Sequence, residues 1–145
     1  MKKKLALSLL LVISIFTLTG CGETKKEKPY SKKDHVGALN YVLKVQPEKI
    51  ESSDDTKKYY YSDFYIEVRM SSEIKDLNDN YEDREGNGIG YKYFENKDSE
   101  SNLKYSSIFR FMEYYYYVDY YNTNDKTKEN NKELYDEFIS TVKFN

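Results

Sequence analysis

The sequence predicts an α+β fold: a single antiparallel sheet packed by a C-terminal amphipathic helix and a shorter helix. Three observations predict it. Apolar and polar residues alternate in several stretches beyond residue 38, as in strands with one face on a core and one in water. Glycine, proline and charged clusters separate those stretches. One apolar pattern near the C-terminus repeats at helical rather than strand spacing.

Taken in order, Leu39, Tyr41, Leu43 and Val45 share one face of a first strand, and Pro47 ends it. Glu48 to Lys57 reads as a charged loop. Tyr59 to Met70 is the next strand region, with Phe64, Ile66, Val68 and Met70 on one face and Tyr65, Glu67 and Arg69 on the other. Ile74, Leu77 and Tyr81 fit a short helix over Ser71 to Tyr81, with Ser71 or Ser72 as its cap. Gly86, Gly88 and Gly90 mark a turn, and Ile89 to Phe94 begins another strand before a polar loop at Glu95 to Asn102. Tyr105 to Tyr121 is long enough for two strands with a turn near Met112 to Tyr114. Leu134, Phe138, Ile139 and Val142 then place a helix over Asn130 to Ser140, with Asn130 and Glu133 as a capping box. Thr141 to Phe144 is expected to return as a short last strand.

The N-terminus has a different character. Lys2, Lys3 and Lys4 precede an apolar run from Leu5 to Leu18 broken only by Ser8, Ser14 and Thr17. The run is too short to span a bilayer as a helix, which takes about 20 residues. Behind it stands Leu18-Thr19-Gly20-Cys21, which resembles the lipobox of bacterial lipoproteins. The small residues there leave the thiol and the Gly20–Cys21 bond open to the processing enzymes. The resemblance implies cleavage between Gly20 and Cys21, and a lipid on the Cys21 sulfur that anchors the chain on the extracytoplasmic face of the cell membrane. Two acyl chains hold firmly where one is marginal. Residues 1–20 are then a signal peptide, 21–33 a lysine-rich flexible tether, and 34–145 one globular domain.

Composition narrows the chemistry. Losing residues 1–20 removes three lysines and takes the formal charge from −2 to −5, which argues against nucleic acid as a partner. It also offers no electrostatic pull toward an anionic membrane, so the lipid does the tethering. Cys21 is the only cysteine, so a lipidated chain has no disulfide, no thiol nucleophile and no Cys-ligated metal. The only histidine, His35, stands at the tether boundary and is expected to be solvated. Asp76, Asn78 and Asn80 match the first ligand positions of an EF-hand loop, but its glycine and closing glutamate positions hold Tyr81 and Asn87. A frame starting at Asp83, with Glu85, Asn87 and Gly88, closes on Phe94 instead of an acid. No metal and no cofactor are therefore expected.

The sequence has 17 tyrosines and no tryptophan. One explanation is codon bias, since Lys, Asn, Ile and Phe are abundant too; the alternative is an aromatic contact surface. In the run Tyr114 to Tyr121, alternation puts Tyr115, Tyr117, Asp119 and Tyr121 on the face opposite Tyr114, Tyr116, Val118 and Tyr120. One face has to be core. The other offers Tyr115, Tyr117 and Tyr121 as a recognition surface for an envelope protein or a glycan, unless helices cover it.

The order of elements is similar to that of small clostridial-type lipoproteins with a PsbP-like domain. The matching stretches are Tyr41-Val42-Leu43-Lys44-Val45-Gln46-Pro47, Gly88-Ile89-Gly90-Tyr91-Lys92-Tyr93, the tyrosine run Tyr115 to Tyr121, and Glu133 to Phe144. The resemblance implies an α/β/α sandwich and a noncatalytic accessory or assembly role, with no shared active-site residues. The expected function is thus a membrane-anchored binding or accessory module and not an enzyme. The alternatives are a cell-envelope hydrolase using two carboxylates, which leave no sequence signature, and a structural subunit of an envelope complex.

Overall fold

A computed structural model describes residues 29–74, 80–123 and 131–145; Gly20, Cys21 and the rest of the N-terminal segment lie outside the described residues. The architecture is mostly β, which corrects the predicted α+β fold. Two antiparallel sheets replace the single one, and one helix replaces two among the described residues. The α/β/α sandwich implied by the PsbP-like resemblance is therefore not the fold of this chain.

The strands are β1 (Lys32–Val36), β2 (Leu39–Leu43), β3 (Lys49–Ser52), β4 (Thr56–Tyr60) and β5 (Phe64–Ser71), followed by β6 (Glu82–Gly86), β7 (Ile89–Glu95), β8 (Leu103–Phe111), β9 (Tyr114–Asn122) and β10 (Lys143–Phe144). Helix α1 (Lys132–Ser140) precedes β10. A small sheet has the order β1-β2-β10, and a large one β3-β4-β5-β9-β8-β7-β6. The small sheet and α1 pack together on one face of the large sheet. Leu39, Tyr41 and Leu43 from β2 meet Tyr59, Ile66, Val68, Phe109, Tyr116, Val118 and Tyr120, with Tyr135, Phe138 and Ile139 of α1 alongside.

The differences from expectation have physical causes. Period-2 alternation reports which face is buried, not which sheet a strand joins, so Leu39–Leu43 looks the same in either sheet. The large sheet's edge strands, β3 with Lys-Ile-Glu-Ser and β6 with Glu-Asp-Arg-Glu-Gly, are mostly exposed and leave no alternation to detect. Charge on such edges also discourages pairing with other chains. Of the expected helix over Ser71 to Tyr81, Ser71 ends β5 and residues 72–74, 80 and 81 are not helical, while residues 75–79 lie outside the described residues. Lys32 and Lys33, assigned to the tether by composition, are in β1.

Val45, expected on the core face of the first strand, is exposed beyond the end of β2, and Tyr59 to Met70 is divided between β4 and β5, while some other expectations hold. Tyr105 to Tyr121 does form two strands, β8 and β9, turning at Met112, where φ is +54°. The turn between β6 and β7 is Asn87-Gly88, both with positive φ, the backbone a two-residue hairpin demands. The Asn87 amide also donates to the carbonyls of Ser140 (2.5 Å) and Val142 (3.1 Å), tying that hairpin to the end of α1. The helix cap is Asn131 rather than Asn130, which lies outside the described residues; its Oδ1 accepts from the Leu134 N–H.

Candidate functional site

Most tyrosines are structural, and their hydroxyls explain how so many fit inside. Buried phenols need partners. Tyr41 and Tyr59 share a 2.5 Å hydrogen bond, and Tyr59 donates to Asp34 Oδ2 at 2.6 Å. Asp34 also pairs with Lys57, so a carboxylate at the core margin is neutralised. Tyr135 is bonded to Ser107 Oγ (2.7 Å) and to the Val118 carbonyl (2.8 Å). The Tyr120 hydroxyl accepts the Asn131 N–H at 2.9 Å. These groups hold the layers together and are spoken for.

The opposite, outer face of the large sheet is the candidate site. Register places Tyr60 opposite Tyr65, Tyr65 opposite Tyr121, and Glu67 opposite Asp119, with Arg69 opposite Tyr117. Tyr60 and Tyr65 have ring centroids 5.3 Å apart, and Tyr65 and Tyr121 stack at 4.8 Å with planes 13° apart. All three are half-buried. Lys49 lies 5.4 Å from the Tyr60 centroid and Lys58 5.7 Å from that of Tyr65, each within cation–π range. Lys58 and Arg69 both approach Glu67, at 3.5 and 3.7 Å.

One part of this face is closed. Ser106, Ile108, Tyr117 and Asp119 are buried on it. The connection from β5 to β6 links the third strand of the sheet to its far edge, and its described ends touch this face. The Tyr117 hydroxyl lies 3.5 Å from the Glu73 carbonyl, and the Tyr81 hydroxyl 3.5 Å from Ser106 Oγ. Asp119 is only 5 % exposed and accepts from Ser106 Oγ at 2.5 Å. Burial raises its carboxyl to about 6, and the Glu67 charge adds to the rise, while the Ser106 hydrogen bond and Arg69 pull the other way.

The three sequence-predicted recognition residues therefore share a face but not an environment. Tyr121 belongs to the stacked row, Tyr117 is buried with Arg69 over its ring at 4.3 Å, and Tyr115 is half-buried with Arg110 at 5.7 Å. Tyr60 and Tyr65 were missed as site residues. The alternation of Tyr65 with Glu67 and Arg69 signalled its water-facing side, but pairing between distant strands sets the row. The row's phenols stay protonated: a hydrogen bond to Glu51 pushes Tyr60 up to about 12, and burial raises Tyr65 and Tyr121.

A cleft of about 530 Å³ lies elsewhere, at the β6–β7 edge, and contains Glu82, Arg84, Tyr93, Glu95 and Asp98. Its acids are exposed, and Glu82 pairs with Arg84 at 3.3 Å. Arg84 lies 3.6 Å above the ring of buried Tyr93, whose hydroxyl has no partner among the described residues. Asp83, Glu85 and Asn87, the second calcium frame, stand on a hairpin and not on a loop, while Asp76 and Asn78 lie outside the described residues. No group of three or more His, Cys, Asp or Glu is placed to hold a metal among the described residues. His35 is an exposed residue of β1. Comparison with protein families, with curated proteins and with solved structures finds no match to this chain.

Proposed function

We propose that this chain is a lipid-anchored module of the bacterial cell surface that binds a protein partner along Tyr60, Tyr65 and Tyr121 without catalysing a reaction. The lipobox-like Leu18-Thr19-Gly20-Cys21 supports the anchor. The observation that carries the binding role is the half-buried tyrosine row, stacked at Tyr65 and Tyr121 and tilted at Tyr60 and Tyr65. Tyrosine combines rigid contact area with a polar tip at little entropic cost. The ring orientation favours protein over glycan. Rings stacked 4.8 Å apart spend their faces on one another, and lysines approach Tyr60 and Tyr65 as well. Ring edges remain for the partner, whereas stacking on a sugar needs an open ring face.

The test is a photo-crosslinking amino acid placed at Tyr65 or Tyr121 of the full chain in intact cells. A discrete adduct is expected there and not from Lys92 on the same sheet. In a second arm, Lys58→Glu leaves the rings in place and should reduce the adduct. Equal crosslinking from all positions would overturn the row as the site.

A carboxylate-pair hydrolase has one observation in its favour, the cleft containing Glu82, Glu95 and Asp98. Release of reducing ends from envelope glycan, lost in both Glu82→Gln and Glu95→Gln, would support that second reading.

A further inference from the structure

The outer face of the small sheet has an uncommon charge arrangement for an acidic protein. Residues paired across β1, β2 and β10 share a face, so Lys33 and His35 lie with Asn40, Val42 and Lys143, away from buried Leu39, Tyr41 and Leu43. No acidic side chain occupies that face. Asp34, the carboxylate of β1, points to the other side, where it holds Lys57 and Tyr59. Lys44, Lys49, Lys57, Lys58, Lys92 and Lys132 each pair with a carboxylate. Lys33 and Lys143, like Lys32 and Lys97, pair with no described residue, but these two flank a hollow of about 180 Å³ lined also by Asn40, Tyr41, Val42 and Asn145. Two unpaired ammonium groups around a hollow of this size suit the phosphate of a lipid headgroup.

Chain geometry points the same way. Lys33 stands at the start of the strand that the tether enters, 12 residues after Cys21 in sequence. Such a length reaches at most roughly 40 Å when extended. The tether adds Lys25, Lys26 and Lys28 against only Glu23 and Glu27. Surface charges act over about 8 Å at physiological ionic strength, so this face has to lie flush with the membrane to be felt.

We propose that the outer face of the three-stranded sheet, with Lys33 and Lys143 as its contacts, rests on anionic phospholipid and fixes the orientation of the anchored domain. The inference rests on the lipid-anchored reading above and goes beyond it. It also refines the view from net charge: the whole domain is acidic, but the face beside its anchor is not.

The experiment uses the full lipidated chain in vesicles of phosphatidylcholine alone, or of equal parts phosphatidylcholine and phosphatidylglycerol. Lysine acylation is read residue by residue by mass spectrometry, after flotation shows what fraction is vesicle-bound. Each basic residue near an anionic surface is worth about fivefold in local binding. Acylation of Lys33 and Lys143 should therefore fall severalfold in phosphatidylglycerol vesicles, recover in high salt, and leave Lys49 on the large sheet unchanged. Equal acylation in the two vesicle types, with the chain floating in both, would overturn the orientation and leave the anchor intact. A chain that floats with neither would overturn the anchor, and the orientation with it.

Discussion

Replacing Asp119 with asparagine should stabilise the protein at neutral pH. The side chain is 5 % exposed on the sheet face and sits directly across from Glu67, so its negative charge is held where neither water nor its neighbour favours it. Its carboxyl titrates near 6 in the folded chain against an ordinary value of 3.8. At 1.36 kcal/mol per pH unit, that difference amounts to about 3 kcal/mol of folding free energy lost when the group ionises. Because the folded pKa is the higher one, the native state holds more protons than the unfolded state between about pH 4 and 6. Stability from this group is therefore present below about pH 4 and lost as pH rises through 6. Asparagine keeps the shape, can still bond to Ser106, and does not titrate. Urea unfolding of both proteins from pH 4 to 8 should show near-equal stability at the acid end. Above pH 7 the variant should lead by up to about 3 kcal/mol. Subtracting the two curves removes the contributions of Asp34, Glu51 and other carboxylates, which both proteins share. A constant difference across the range, or a wild type more stable at pH 8, would refute the argument that the buried charge is a burden.

Three further substitutions test the packing and hydrogen bonding of the fold. Gly37→Ala and Gly88→Ala both place a side chain at positive φ, +56° and +73°, which costs roughly 1–2 kcal/mol by itself. At Gly88 a Cβ meets nothing within 4 Å, whereas at Gly37 it comes within 2.7 Å of Met70 Sδ and 3.0 Å of the Tyr116 hydroxyl. Overpacking adds about 1–3 kcal/mol, so Gly37→Ala should be clearly the worse of the two in urea melts, and equal losses would count against the close packing of the β1–β2 turn on the large sheet. Tyr59→Phe removes the partner of the buried Tyr41 hydroxyl and a donor to Asp34, and should cost about 1–3 kcal/mol with little change in m-value. A neutral result would mean that water or a shifted side chain replaces the bond.

How far the sequence carried depended on whether a residue's environment was local. The faces of β5 were legible, because burial alternates along it and Ile66 and Val68 fall where alternation puts them; in β9, Val118 and Tyr120 face the core as alternation puts them, but residues 116–120 are buried on both faces. The C-terminal helix was legible from its apolar spacing, and Leu134, Tyr135, Phe138 and Ile139 do meet the core. The second sheet was not, since no local pattern says whether β2 pairs with β1 and β10 or with the large sheet. Edge strands β3 and β6 were missed because exposed backbone hydrogen bonds place no demand on side-chain hydropathy. The recognition guess failed at Tyr117 for a related reason. A face that one strand's pattern marks as noncore is still buried where another segment touches it, as the ends of the β5–β6 connection do. Tyr60 and Tyr65 complete the row only through strand pairing across gaps of five and 56 residues, a relation present in the register and not in any window of the chain.

The two proposed surfaces constrain each other. In a two-layer sandwich the outer faces of the layers point in opposite directions. Lys33 and Lys143 are on the outer face of the small sheet, and Tyr60, Tyr65 and Tyr121 on that of the large one. Seating the basic face on lipid turns the tyrosine row away from the membrane, toward whatever approaches the cell from outside. A partner embedded in the same membrane would then reach the row poorly, whereas a soluble or wall-associated protein would reach it freely. Reversing the basic face with Lys33→Glu and Lys143→Glu leaves every contact of the tyrosine row in place. If orientation presents the row, crosslinking from Tyr65 should fall in anchored protein and stay unchanged after release in detergent. A loss in both conditions would mean that the charges act on the partner directly, and no loss in either would mean that the leash alone gives the row sufficient access.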